Sequence, residues 1–260
     1  MSRLDFIKGV LNAARDCLDS SSPHFTRFLG ESELALAKSV GMPKGVTAVF
    51  CGGAENRDPL RCCLGLFPSF YFDKQIDDAS CEEIAGMFPI KAVTIAFRGG
   101  NVISHRDILG SIMALGLDRD TVGDIFIEDG KAAVFVYDKV ASHIADSLTK
   151  IGNVGVKCKT DIRPGFTLPE RKFETLALSV ASLRLDNIVK SAVGLSRTVA
   201  VEKYIAPQLV QLNGVVCTDC AAQLTTGDIF SVRGKGKFSL HSIDGTGRKG
   251  NIHITVKKYM

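Results

Sequence analysis

A chain of 260 residues that is 45% hydrophobic and 23% charged, with no tryptophan, has the make-up of a globular protein of two or three modules and excludes a disordered or low-complexity chain. The start, Met1-Ser2-Arg3-Leu4-Asp5-Phe6-Ile7-Lys8, never reaches the apolar core of a signal peptide, and no run approaches the roughly 18–20 apolar residues of a membrane span, so a cytoplasmic protein with no membrane partner is expected. The net charge of +4 is polarised: from Arg171 onward there are 13 Lys and Arg against 6 Asp and Glu, a net +7, which leaves −3 for residues 1–170 and points the basic third at a polyanion.

Leu4, Ile7, Val10, Leu11, Ala14 and Leu18 recur at helical spacing, and residues 30–40 give a second short helix with Ser32 as its cap. Such a stripe belongs to a core more often than to an interface. Val46 to Cys51 then reads as a buried strand closed by Gly52-Gly53, and an irregular segment through Pro59 leads to the apolar run Cys62 to Phe67. Residues 1–85 are expected to form an N-terminal α/β domain.

Between Lys91 and Asp161 the period alternates in a countable order. Ala92–Phe97 reads as a strand, Asp107–Leu117 as a helix, Asp124–Ile127 and Ala132–Tyr137 as strands joined by the turn Glu128-Asp129-Gly130-Lys131, Lys139–Ile151 as a helix and Val154–Cys158 as a strand. The order β-α-β-β-α-β predicts a ferredoxin-like, RRM-like domain over residues 86–165. An RNA-recognition motif stacks bases on aromatics of its central strands, for which Phe97, Phe126, Phe135 and Tyr137 are the candidates, without the usual glycine-aromatic signature; period two lets Phe135 be exposed between buried Val134 and Val136, and the alternative is a plain core role. His105-Arg106-Asp107 matches the catalytic-loop tripeptide of protein kinases, but nothing else of a kinase is present, and Ser104 or Asp107 at a helix cap is the better account. Arg106 and Arg119 flank that helix as secondary candidates for RNA contact.

Residues 161–169, with two prolines and a glycine, read as the linker. The eight cysteines are spread through a chain of ordinary hydrophobic content and are expected to be reduced. Cys217 and Cys220 form a C-x-x-C pair, but no second pair follows, so neither a metal nor a cofactor is expected.

In the basic third, Ser196 is placed to cap a helix whose first turn holds Arg197 and Thr198, where free backbone N–H groups and the helix dipole favour phosphate. Arg233-Gly234-Lys235-Gly236-Lys237 alternates bases with glycines that permit close backbone approach. A last strand, Asn251–Lys257, follows Arg248 and Lys249. Four ordered motifs, R-L-D-x-x-[IV] at Arg184–Val189, S-R-x-x-A at Ser196–Ala200, N-G-x-V at Asn213–Val216 and G-D-x-x-S-V-R at Gly227–Arg233, resemble the S4 RNA-binding domain over about residues 175–257. With His105-Arg106-Asp107-Ile108-Leu109-Gly110, Gly123-Asp124-Ile125 and Ser231–Phe238, the whole chain resembles the bacterial YlmH family.

That resemblance implies an α+β protein in which an N-terminal α/β unit and an RRM-like domain precede an S4-like domain over residues 175–260, a helix pair packed on a small sheet. It implies binding to ribosomal RNA and tRNA on the large ribosomal subunit, in ribosome-associated quality control, where stalled chains are tailed with alanine. The RNA-binding candidates are Arg184, Ser196, Arg197, Thr198, Lys203, Arg233, Lys235, Lys237, Arg248 and Lys249, with Asp186 orienting a neighbouring arginine or the helix start. Two departures from the family pattern stand out: neutral Gln208-Leu209-Val210-Gln211 at the end of the second helix, and Thr218-Asp219 where asparagine is usual. No catalytic residue and no small-molecule substrate are expected. The alternatives are an RNA-modifying enzyme of the pseudouridine-synthase kind, against which the first 170 residues show no catalytic aspartate motif and no glycine-rich cofactor loop, and a scaffold that binds protein through its N-terminal domain.

Overall fold

The structure, a computed structural model, describes residues 3–54, 60–72, 78–161, 168, 173–247 and 250–259, with the side chains of residues 78–82 left out. Its architecture is α+β, and it divides into two compact units, residues 1–169 and 170–260. Among the described residues no helix is long and apolar enough to cross a membrane.

The first unit opens with α1 (Arg3–Ser20), which buries Phe6, Val10, Ala14 and Cys17 along one stripe, whereas Leu4 and Leu18, counted above in its apolar face, are exposed. β1 (His24–Leu29) intervenes before α2 (Glu31–Ser39). Gly30, not Ser32, stands at the start of α2: its N–H donates to the Glu33 carboxylate at 2.9 Å. β2 (Val46–Cys51) and β3 (Cys62–Pro68) complete an antiparallel sheet of order β1-β3-β2. β3 is buried along its whole length because both of its faces are covered. Cys62, Leu64 and Leu66 pack with Phe6, Val10 and Ala14 of α1, while Cys63 and Phe67 join an aromatic cluster on the other side.

After α3 (Asp78–Met87) come β4 (Ile90–Phe97), α4 (His105–Met113), β5 (Val122–Glu128), β6 (Lys131–Tyr137), α5 (Asp138–Ser147), β7 (Lys150–Ile151) and β8 (Val154–Asp161). Lys150 and Ile151 belong to a strand rather than to the preceding helix, since the chain turns extended at Leu148. The strands form an antiparallel sheet of order β5-β6-β4-β8-β7. One face carries Val93, Ile95, Val134 and Val136 against Ile108 and Ile112 of α4 and Ala141 and Ile144 of α5. Ser104 caps α4, accepting from Asp107 N–H while the Asp107 carboxylate accepts from Ser104 N–H.

On the opposite face Ala92, Phe126 and Phe135 pack with Phe28, Cys63, Phe67 and Phe88 from the first sheet and the turn before β4. Of the two roles open to Phe135, the core one holds: it is 1% exposed, because a second sheet covers a face that strand periodicity alone leaves open. The fit is close. A Cβ on Gly123 would lie 2.5 Å from Phe28, and one on Gly65 would lie 2.6 Å from Phe67 and 2.7 Å from Phe88.

The second unit contains β9 (Phe173–Val180), α6 (Leu185–Ala192), α7 (Arg197–Ala200), which continues as a π-helical turn over Val201–Ile205, β10 (Val210–Leu212), β11 (Val215–Val216), β12 (Ile229–Val232), β13 (Gly236–Thr246) and β14 (Ile252–Tyr259). Its sheet has the order β11-β10-β12-β13-β14-β9. Leu185, Ile188 and Val189 of α6, with Ala200 and Ile205, pack against Val180, Phe230, Val232, Phe238, Leu240, Ile254 and Val256, so the helices cover one face. The second helix ends at Ile205, and Val210-Gln211, read above as its end, belong to β10. Asn213-Gly214, with φ of 49° and 74°, forms the two-residue turn between β10 and β11. The N-G and G-D motifs then explain each other: Asn213 Nδ2 donates to Asp228 Oδ1 at 2.8 Å and Asn213 Oδ1 accepts from Ile229 N–H at 2.9 Å.

Candidate nucleic-acid interface

The R-L-D motif begins α6. Its entrance is fixed by backbone bonds from Leu185 N–H to Ala222 O and Asp186 N–H to Cys220 O, and this pulls the Asp186 side chain wholly out of solvent. A carboxylate buried at that depth needs charged partners, and it has two. Arg197 donates through Nε at 2.8 Å and through Nη2, and Arg184 donates through Nε at 3.4 Å and Nη2 at 3.3 Å. Burial pushes the Asp186 carboxyl up, but the hydrogen bonds and charges of Arg197 and Arg184 more than reverse this and hold it below the usual carboxylate range.

Arg197 reaches Asp186, eleven residues earlier, because Gly194 takes φ 67° and Leu195 N–H bonds back to Lys190 O at 2.8 Å, folding the second helix against the first. Ser196 accepts from Val199 N–H at 3.3 Å and caps it as the sequence predicts. The two side chains remain 35% (Arg184) and 55% (Arg197) exposed. Each has five N–H donors in a fixed fork, so a buried anion holds one edge while another stays available to a phosphate. The trio carries net +1 and presents its cations in a set orientation. Thr198 and Lys203 are exposed on the same helix.

Arg233, Lys235 and Lys237 lie on a different element, the β12–β13 hairpin, where Ser231 pairs with Lys237 and Val232 with Gly236. Gly234 at φ 75° and the bond from Lys235 N–H to Val232 O shape the turn, leaving Arg233 and Lys235 exposed. Lys237 is instead a strand residue, half-buried, with its ammonium 5.3 Å from the centre of the Tyr259 ring. Burial pushes its pKa down to about 8. Beside it Lys257 lies 5.5 Å over Phe173, whose ring meets Tyr259 edge-on at 5.1 Å. Sequence reasoning missed Phe173, Lys257 and Tyr259; the alternation Phe173-Thr175-Ala177 against Leu176-Leu178-Val180 is the signal that places Phe173 on the face away from the helices.

Arg248 and Lys249 fall outside the described residues. In the first unit Arg106 is exposed in the first turn of α4. Arg119 is turned inward: its Nη1 donates to Val122 O, which Arg61 Nε also reaches at 3.0 Å, and burial pushes the Arg119 pKa down to about 10. Phe126 and Phe135 are sealed beneath the first sheet and present no ring to a base.

Comparison with known proteins adds three findings. Residues 88–162 match the family described as the putative RNA-binding domain in YlmH. The chain is 26% identical over 254 residues, 97% of its own length and 94% of the relative's, to the ribosome-associated protein quality control protein P2 of Bacillus subtilis (strain 168). A solved structure, the cell division protein ylmH from Streptococcus pneumoniae, aligns with 60% of this chain and 89% of its own at 21% identity and a TM-score of 0.47. The matched domain, and a relative aligned over 97% of the chain, make this chain similar to YlmH-type RNA-binding proteins.

Proposed function

We propose that this chain is a non-catalytic RNA-binding protein of ribosome-associated quality control, acting in the cytoplasm on the large ribosomal subunit and contacting ribosomal RNA and tRNA while stalled chains are tailed with alanine. The observation that carries the RNA contact is the arginine pair held by buried Asp186: Arg184 and Arg197 are anchored on one side and open on the other. In this reading the second unit is S4-like, and its helix pair and β12–β13 hairpin grip phosphates. The 88–162 unit is RRM-like in its element order but without base stacking on the central strands. The ribosomal setting is carried over from the name of the Bacillus subtilis relative.

Phosphate contacts position a protein without reading sequence, so the test combines affinity with location. With about four phosphates neutralised, log K for RNA should fall against log salt with a slope of about −3 to −4. Joint Arg197→Ala and Lys235→Ala substitution should flatten that slope and move the protein from the large-subunit fraction to the top of a sucrose gradient. Affinity indifferent to both salt and the double substitution would overturn the RNA assignment. Free migration of the native protein under conditions that stall ribosomes would overturn the ribosomal one.

A further inference from the structure

The face of the middle sheet that packs on the first sheet is covered over only part of its length. Ala92 and Phe135, directly paired across β4 and β6, lie in the sealed aromatic cluster. Four residues further along β4, Ala96 is exposed on the same face, paired with Lys131 on one side and Lys157 on the other. In β8 the residues alternate strictly in exposure: Gly155, Lys157 and Lys159 point outward, between Val154, Val156, Cys158 and Thr160. Lys150 of β7 pairs with Gly155 and is also exposed, which puts it on the same side. The open end of this face therefore has a floor of small residues, Ala96 and Gly155, and a line of three lysines.

Lysine spacing follows from strand geometry. Lys157 and Lys159 are two residues apart, roughly 7 Å, and Lys150 stands diagonally across from Lys157 at roughly 7–8 Å. That interval resembles the separation of successive phosphates along an extended single strand. Among the described residues the three have no acidic partner. Of the carboxylates on or beside this face, Glu128 is paired with Lys131 at 3.0 Å and Asp129 accepts from Gly100 N–H at 2.8 Å, while Asp161, exposed and opposite Ala92, stands two residues beyond Lys159. At the open end a groove of about 440 Å³ is lined by Ala96, Phe97, Arg98, Thr149, Gly155 and Lys157.

We infer that the open end of this sheet face is a second RNA contact surface, on which Lys150, Lys157 and Lys159 track the phosphates of a single-stranded segment without stacking its bases. Burial of Phe126 and Phe135 removes the rings on which bases would stack, and the lysine line supplies the charge complementarity that remains. The inference rests on the RNA-binding reading and adds a site separate from the Arg184–Arg197 pair. Contact of this kind depends steeply on salt and tolerates any sequence.

The test measures binding of the full chain to a short single-stranded RNA of mixed sequence and to a duplex of matched length, each over a range of salt. Joint Lys150→Gln, Lys157→Gln and Lys159→Gln substitution should make the slope of log K against log salt for the single strand shallower by about 2, at about 0.7 per lost contact. The duplex slope should change less, and the thermal midpoint should hold because all three side chains are exposed. Ala96→Glu, which sets a negative charge on the floor, should weaken single-strand binding with the lysines intact. A single-strand slope unchanged by the triple substitution, or a duplex slope changed equally, overturns this surface. If Arg197→Ala with Lys235→Ala still weakens binding while the triple substitution does nothing, this inference fails alone; if neither acts, the RNA-binding reading fails with it.

Discussion

Asp186 shows how one buried carboxylate organises a cationic site. In Asp186→Ala two guanidiniums lose their anchor, but the arginine side chains are a third to a half exposed and can turn to water, so the cost should fall below the range for a wholly buried pair, at about 2 kcal/mol in urea unfolding. RNA affinity should fall as well, since the arginines would have to be ordered on binding. The carboxyl is held below its usual range, so its contribution to stability is full above the ordinary aspartate value of about 3.9 and is lost as pH falls through the depressed folded value. Asp186→Asn should remove that part of the acid dependence. Lys237 titrates the other way. With its pKa near 8, folding disfavours its charge, so stability gains as pH rises from about 8 towards the ordinary lysine value of about 10.4. Over the same interval Lys237 loses its charge, so in the proposed RNA-binding reading affinity should fall between about pH 7 and about pH 9, and fall less in Lys237→Arg, whose guanidinium stays protonated.

At the scale of elements, the contact between the two sheets of the first unit depends on glycines. Gly123→Ala should cost about 1–3 kcal/mol, because the new methyl meets the buried Phe28 ring and a packed core has little room to yield; an unchanged urea midpoint would show that the rings can separate. Apart from the two-residue β7, the order of strands and helices between Ile90 and Asp161 was legible because each local period is long enough to count. What covers them was not. Strand periodicity leaves Phe135 open to either an outward or a core role, and only the distant Phe28, Phe67 and Phe88 decide for the core. Arg184 and Arg197 were singled out by the R-L-D and S-R motifs, whereas their meeting on one carboxylate was not, since the depth of Asp186 is set by Cys220 and Ala222, far along the chain. β13 escaped notice for a local reason. Only Phe238 and Leu240 mark its alternation before register shifts between Leu240 and Ser242 and between Ile243 and Gly245 disrupt the period.

Across the whole molecule, the two units have separate apolar cores. Phe28, Phe67, Phe126 and Phe135 belong to the first, and Phe230, Phe238, Leu240 and Val256 to the second. Urea unfolding should therefore proceed in two steps, with Gly123→Ala moving one and Asp186→Ala the other. One transition moved equally by both would mean that the units melt as a single cooperative body. The net −3 of residues 1–170 and +7 of the remainder lead to a related expectation: crosslinks to RNA from the second unit should spread along its helix pair and hairpin, and those from the first should concentrate on β7 and β8. The aromatic seam beneath the middle sheet also bears on how this chain can be cut. A fragment trimmed to residues 88–162 keeps Phe126 and Phe135 but loses Phe28 and Phe67, and so bares a greasy surface that the intact chain hides. Such a piece should self-associate and bind hydrophobic dyes, and its stickiness towards RNA or protein would report the missing lid rather than a native surface.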